Sequence, residues 1–179
     1  KVEDEMRKKI LAGWVAALLV STAADSEGVT FKFGGGVMIN PTGGGGHASI
    51  EIPLSEEYST YAAPFVEYYS KDGTRIPIGA SLLYKAPFGE FGGTIYFGIG
   101  FGAMIVDGLP PDPITGFDGS GTNAMGAAGG GISFALSDKV DVFVQSRYSR
   151  AFSGSGENEV DVWGVHVGMQ FGILGDEVE

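Results

Sequence analysis

A chain of 179 residues suits one domain, and without cysteine it has no disulfide framework, thiol nucleophile or thiolate metal site. Glycine supplies 31 residues and aromatics 12%, yet charged residues are only 18%, sparse for a surface wetted on every side. From Asp25 onward 7 basic residues stand against 19 acidic ones, a net of −12, which repels phosphate backbones and excludes nucleic acid as an expected partner.

The chain opens on an address. Met6-Arg7-Lys8-Lys9 is followed by apolar Ile10 to Val20 and small Ser21-Thr22-Ala23-Ala24, the three-part layout of a secretory signal peptide. Cleavage is expected after Ala23 or Ala24, because the apolar run is shorter than the roughly 20 residues of a spanning helix; the alternative is an uncleaved anchor. Residues 1–5 read as a translated ribosome-binding site ahead of a start at Met6. The expected division is a leader over 1–24, a barrel over 25–173 and an acidic tail over 174–179.

After Gly28 apolar residues recur at every second position, the period of a strand with two unlike faces. Val29 to Asn40 sets Val29, Phe31, Phe33, Val37 and Ile39 against Thr30, Lys32, Gly34, Gly36 and Met38. His47 to Leu54 and Tyr61 to Tyr69 follow. Thr74 to Tyr84 has Ile76, Ile78, Ala80, Leu82 and Tyr84 against Gly79 and Ser81. Gly93 to Val106 alternates most regularly, Ile95, Phe97, Ile99, Phe101, Ala103 and Ile105 opposing Thr94, Tyr96, Gly98, Gly100 and Gly102. Thr122 to Leu136, Lys139 to Phe152 and Val160 to Ile173 complete eight segments of about ten residues, the length a tilted strand needs to cross a bilayer.

Composition of the second face decides which way the barrel points. It is largely Gly, Ser, Thr and Gln with isolated charges, whereas a water-facing surface would be dense in Lys and Glu. Small residues suit the cramped lumen of an eight-stranded barrel, so the apolar face is expected in lipid. With a periplasmic N-terminus, Pro41 to Gly46, Ser70 to Gly73, Asp107 to Gly121 and Ser153 to Glu159 connect strands on the outside. Lys85 to Gly92 is an unusually long inner connection. The predicted fold is all-β: an eight-stranded antiparallel up-and-down transmembrane β-barrel preceded by a signal-peptide-like helix.

The stretch Leu136-Ser137-Asp138-Lys139-Val140-Asp141-Val142-Phe143-Val144-Gln145-Ser146-Arg147-Tyr148 resembles the last periplasmic turn and seventh strand of the outer-membrane β-barrel domain family. That family includes the transmembrane domain of outer-membrane protein A and outer-membrane protein X, and the resemblance spans about residues 28–173. His166, Gly168, Phe171 and Ile173 resemble the assembly signal that such barrels present to their insertion machinery. The family ends on an aromatic residue; here Ile173 takes that place and Leu174 to Glu179 follow.

Lys32, Glu51, Glu67, Asp141, Arg147 and His166 fall on the lumen face, where a charge must be paired or hydrated. They are expected to form a salt-bridged interior network, with Glu51 or Glu67 beside Arg147. His47 and His166 are the only histidines; His47 lies two residues from Ser49, but no third orienting group is identifiable, so no catalytic, metal or cofactor site is predicted. The glycine runs 34–36, 43–46 and 129–131 open no helix and are expected to be strand bends and tight loops. Asp107, Asp112 and Asp118 belong to a solvated outer loop. Tyr61, Tyr68, Tyr69, Tyr84 and Trp163 are candidate interface residues.

The leading functional expectation is a non-enzymatic outer-membrane barrel with a filled lumen and a structural or surface-contact role. Its expected partners are outer-membrane lipids, the insertion machinery and other membrane proteins. The alternatives are a lipid-modifying enzyme and an anchored accessory subunit of an inner-membrane complex.

Overall fold

The computed structural model describes residues 28–39, 42–55, 57–89, 92–111, 119–152 and 160–172. The leader, the tail, Ile173, Asp112 and Asp118 lie outside the described residues. Eight strands follow in order: β1 (Thr30–Met38), β2 (Gly43–Ser55), β3 (Thr60–Ser70), β4 (Thr74–Phe88), β5 (Gly93–Asp107), β6 (Gly121–Ser137), β7 (Val140–Phe152) and β8 (Asp161–Gly172). Each pairs antiparallel with its neighbour, and β8 returns to β1 from Thr30↔Gly172 to Met38↔Gly164, closing the barrel and leaving no free sheet edge. Among the described residues no helix is long and apolar enough to cross a membrane, which says nothing about crossing by strands.

Alternation translates into two surfaces. Outward residues of β5 are bare, with Ile99 69% and Phe101 77% exposed, and the same holds for Phe33, Leu82, Val167 and Met169 on other strands. An apolar belt running around the wall would be untenable in water and is the natural surface in hydrocarbon. Stacking across the outer ladder adds order, as where Phe33 lies 5.5 Å from Phe171 at an interplanar angle of 12°.

Two strands outrun the sequence reading. β2 begins at Gly43, so Gly43 to Gly46 form rungs opposite Met38 to Gly35 instead of an outer loop. Glycine has no side chain to signal a face, and only the partner strand reveals it as sheet. β4 continues to Phe88, paired with Gly93, which cuts the long inner connection to 89–92 and turns Lys85 inward. Tyr61 and Tyr69 also depart from expectation. They share the inward phase of β3 with Ala63, Phe65 and Glu67, so Tyr69 is fully buried and Tyr61 lies beneath the Lys85 ammonium, 4.3 Å from its ring centroid. Tyr68, Tyr84 and Trp163 remain on the outside. Val29, assigned to the apolar outer face, is buried against Ile50 with Phe31 and Ile52 beside it.

Inward glycines make room for large lumen side chains. A Cβ on Gly164 would stand 2.7 Å from Tyr69 Cζ and 2.9 Å from His166 Cε1. Gly164→Ala is therefore expected to destabilise the barrel by about 1–3 kcal/mol, the usual range for overpacking, read as a lower denaturant midpoint. A midpoint equal to that of the parent would mean that the two rings are not held against β8.

The lumen divides along its length. Toward the end carrying the 108–120 connection, Met38, Met104, Val106, Leu109, Met125 and Val162 form an apolar cluster. One buried charge shares that end, Arg75, which stands opposite Val106 and donates to the Lys71 carbonyl at 2.9 Å; toward the other end the interior is polar and charged.

Candidate functional site

The polar half of the lumen is assembled from inward residues of all eight strands, β6 giving the buried Ser133. β1 contributes Lys32; β2 His47, Ser49 and Glu51; β3 Glu67 and Tyr69; β4 Ser81 and Lys85; β5 Tyr96; β7 Gln145 and Arg147; β8 His166 and Gln170. All but Lys85 are buried.

Two carboxylates organise it. Glu51 accepts from Lys32 Nζ at 2.8 Å on Oε1 and from Lys85 Nζ on Oε2. Lys32 also rests 3.7 Å above the Tyr96 ring centroid, so its charge has both a counter-ion and a π face. Glu67 is the second centre. Its Oε1 lies 3.3 Å from Arg147 Nε and 3.1 Å from His47 Nδ1, while its Oε2 accepts from the Tyr69 hydroxyl at 3.0 Å. Arg147 further donates to Ser81 Oγ at 3.2 Å and packs its guanidinium 3.8 Å from the Phe65 ring centroid. Tyr69 reaches His166 Nε2 at 3.1 Å, and His166 Nδ1 has no partner among the described residues.

Of the six lumen residues singled out in the sequence, Lys32 and Glu51 thus join one cluster, and Glu67, Arg147 and His166 the other. Asp141 belongs to neither: partly exposed at the polar mouth, it accepts from the Gln170 amide. Ser81, Tyr96 and Gln145, already on the small-residue face in the sequence, enter as uncharged partners, while Lys85 and Tyr69 were missed. The signal for those two was the phase of β4 and β3 carried one or two residues further.

A third orienting group for His47 does exist. His47 and Glu67 are directly opposed in the β2–β3 ladder. The carboxylate on Nδ1 holds the ring proton there, leaving Nε2 to accept from the Ser49 hydroxyl at 3.0 Å. Serine, histidine and carboxylate therefore have the hydrogen-bond order of an activated nucleophile. Space is what this arrangement lacks. Ser49 faces a cavity of about 10 Å³, room for roughly one water and far below the few hundred Å³ of a small-molecule site.

His47, Glu67 and His166 also place one ligand atom each within 4.8 Å of one another, a donor set found around zinc. The permanent charge of Arg147 on the same carboxylate opposes a cation at that point. The short assembly motif is divided by the wall. His166 and Gly168 are inward on β8, Phe171 lies on the outer ladder, and Ile173 is outside the described residues.

The chain matches the family described as outer membrane protein beta-barrel domain over residues 12–171. No curated protein sequence matches it. Among solved structures it is similar to Neisserial surface protein A, at TM-score 0.59 and 16% identity, covering 82% of this chain and 96% of that one. It is similar also to the N-terminal β-barrel domain of Pseudomonas aeruginosa OprF, at TM-score 0.62 and 13% identity, covering 83% and 98%. A de novo designed transmembrane β-barrel aligns at TM-score 0.52 and 10% identity, covering 84% and 99%. At such identities the structural likeness is one of fold.

Proposed function

The chain belongs to the outer membrane protein beta-barrel domain family and resides in the outer membrane, and from that premise we propose that it is a non-enzymatic barrel with a plugged lumen. Its role is structural or lies in contacts made by its loops. The observation that carries this reading is the filled interior: an apolar cluster at one end, two ion-paired clusters at the other, and about 10 Å³ of cavity between the side chains. Such packing supports a lumen without a continuous water path. In planar bilayers the protein is expected to add no stepwise conductance while keeping heat-modifiable gel mobility; steady channels from correctly folded protein would overturn the plug.

In this reading the connections 39–42, 71–73, 108–120 and 153–160 face outward as the contact surface, and outer-membrane lipids surround the wall. The insertion machinery is proposed to read Gly168, Phe171 and Ile173 before β8 closes on β1, and His166 with them.

One observation favours a second reading, a lipid-modifying enzyme: the Ser49, His47 and Glu67 relay. Under that reading Ser49→Ala and His47→Ala each abolish deacylation of lipid A or phospholipid. Under the leading one, the purified barrel releases no acyl chains above a Ser49→Ala control. The confined position of Ser49 supports the latter.

A further inference from the structure

We propose that the cavity among Lys32, Ser81, Gln145 and Arg147 binds a small monovalent anion of halide size. Its lining is rich in donors and poor in acceptors. Gln145 is buried; its Oε1 accepts from the Tyr96 hydroxyl at 3.3 Å, which orients the amide and leaves Nε2 without a partner. Ser81 Oγ already accepts from Arg147, so its own proton is left to donate. The Ser49 hydroxyl is committed to His47. One carboxylate lines the space, Glu51, and both its oxygens are taken by lysines. A water placed here finds donors around it and few acceptors for its own protons, whereas an anion uses donors alone.

Charge points the same way. Along the lumen Lys32, Arg75, Lys85 and Arg147 are four inward cations against the carboxylates Glu51, Glu67 and Asp141. Asp141 stands apart at the mouth, hydrogen-bonded to Gln170. A surplus positive charge inside a low-dielectric barrel is unfavourable, and one bound anion removes it. Entry is from the polar end past Lys85, whose side chain is 14% exposed, since Met38, Met104 and Met125 close the other. The cavity is sized for a water, and among monovalent anions a halide is nearest to that size. A halide here neither requires nor forbids a surface-contact role, so the two readings fail separately.

The test uses the purified barrel in detergent, unfolded by heat in sodium chloride, bromide or gluconate at one ionic strength, with the chlorine NMR line width followed alongside. Expected are a saturable rise in unfolding temperature with chloride and bromide but not gluconate, and a broadened line. Gln145→Leu is expected to weaken binding roughly tenfold or more, the loss of one hydrogen bond to a charged partner. Should that variant fail to fold, Ser81→Ala gives the same reading. Equal unfolding temperatures in the three salts, without broadening, would leave water as the occupant and overturn the proposal. Broadening undiminished in both variants would place the anion elsewhere and overturn it equally.

Discussion

Replacing Glu67 by Ala is expected to lower the stability of the folded barrel by about 3–5 kcal/mol, the penalty for stripping a buried charge of its partner. Glu67 is 1% exposed and receives Arg147, His47 and Tyr69 at 3.3, 3.1 and 3.0 Å. Without it Arg147 keeps, among the described residues, Ser81 and the Phe65 ring, and the His47 proton loses its acceptor there. Glu67→Gln retains volume and hydrogen-bonding capacity but not charge, so its loss is expected to be smaller. The double variant Glu67→Leu with Arg147→Met is expected to recover most of the deficit, because a buried ion pair exchanged for well-packed apolar groups is often neutral or better. Equilibrium unfolding in denaturant, read beside heat-modifiable gel mobility, orders the four proteins. Indistinguishable midpoints for Glu67→Ala and the parent would show that the second cluster does not hold the lumen together.

The other large effect concerns the outer wall. Ile99 sits near the middle of β5 and is 69% exposed. Arginine there is expected to cost about 2–4 kcal/mol if that surface lies at the bilayer midplane. Tyr58→Arg in the β2–β3 connection, 65% exposed, serves as the comparison and is expected to change stability by no more than about 0.5 kcal/mol. Both variants carry the same new charge on an exposed site, so the difference isolates depth in lipid. Unfolding from liposomes measures it, and equal midpoints would take the apolar belt out of the hydrocarbon.

The Ile99 test could be written from the sequence, because the alternation of β5 names its outward residues without reference to any other strand. Glu67 could be placed inward in the same way. That it faces His47 across one ladder and Arg147 across the lumen could not, since β3 and β7 are far apart in the chain and meet only when the barrel closes. The sequence reading paired Arg147 with either Glu51 or Glu67; Lys85, hidden in what looked like a turn, takes Glu51 together with Lys32 and leaves Glu67 to Arg147.

The period of two, the small-residue second face and the count of eight segments were therefore determined by the amino-acid sequence itself, because each depends only on residues adjacent along one strand. Tertiary structure alone decided the height of each side chain in the lumen, the extent of β2 through Gly43 to Gly46, the inward turn of Tyr61 and Tyr69, and the grouping into one apolar and two ion-paired clusters. Those depend on register between strands and on closure of β8 against β1. Period assigns a residue to a face; only pairing assigns it a neighbour.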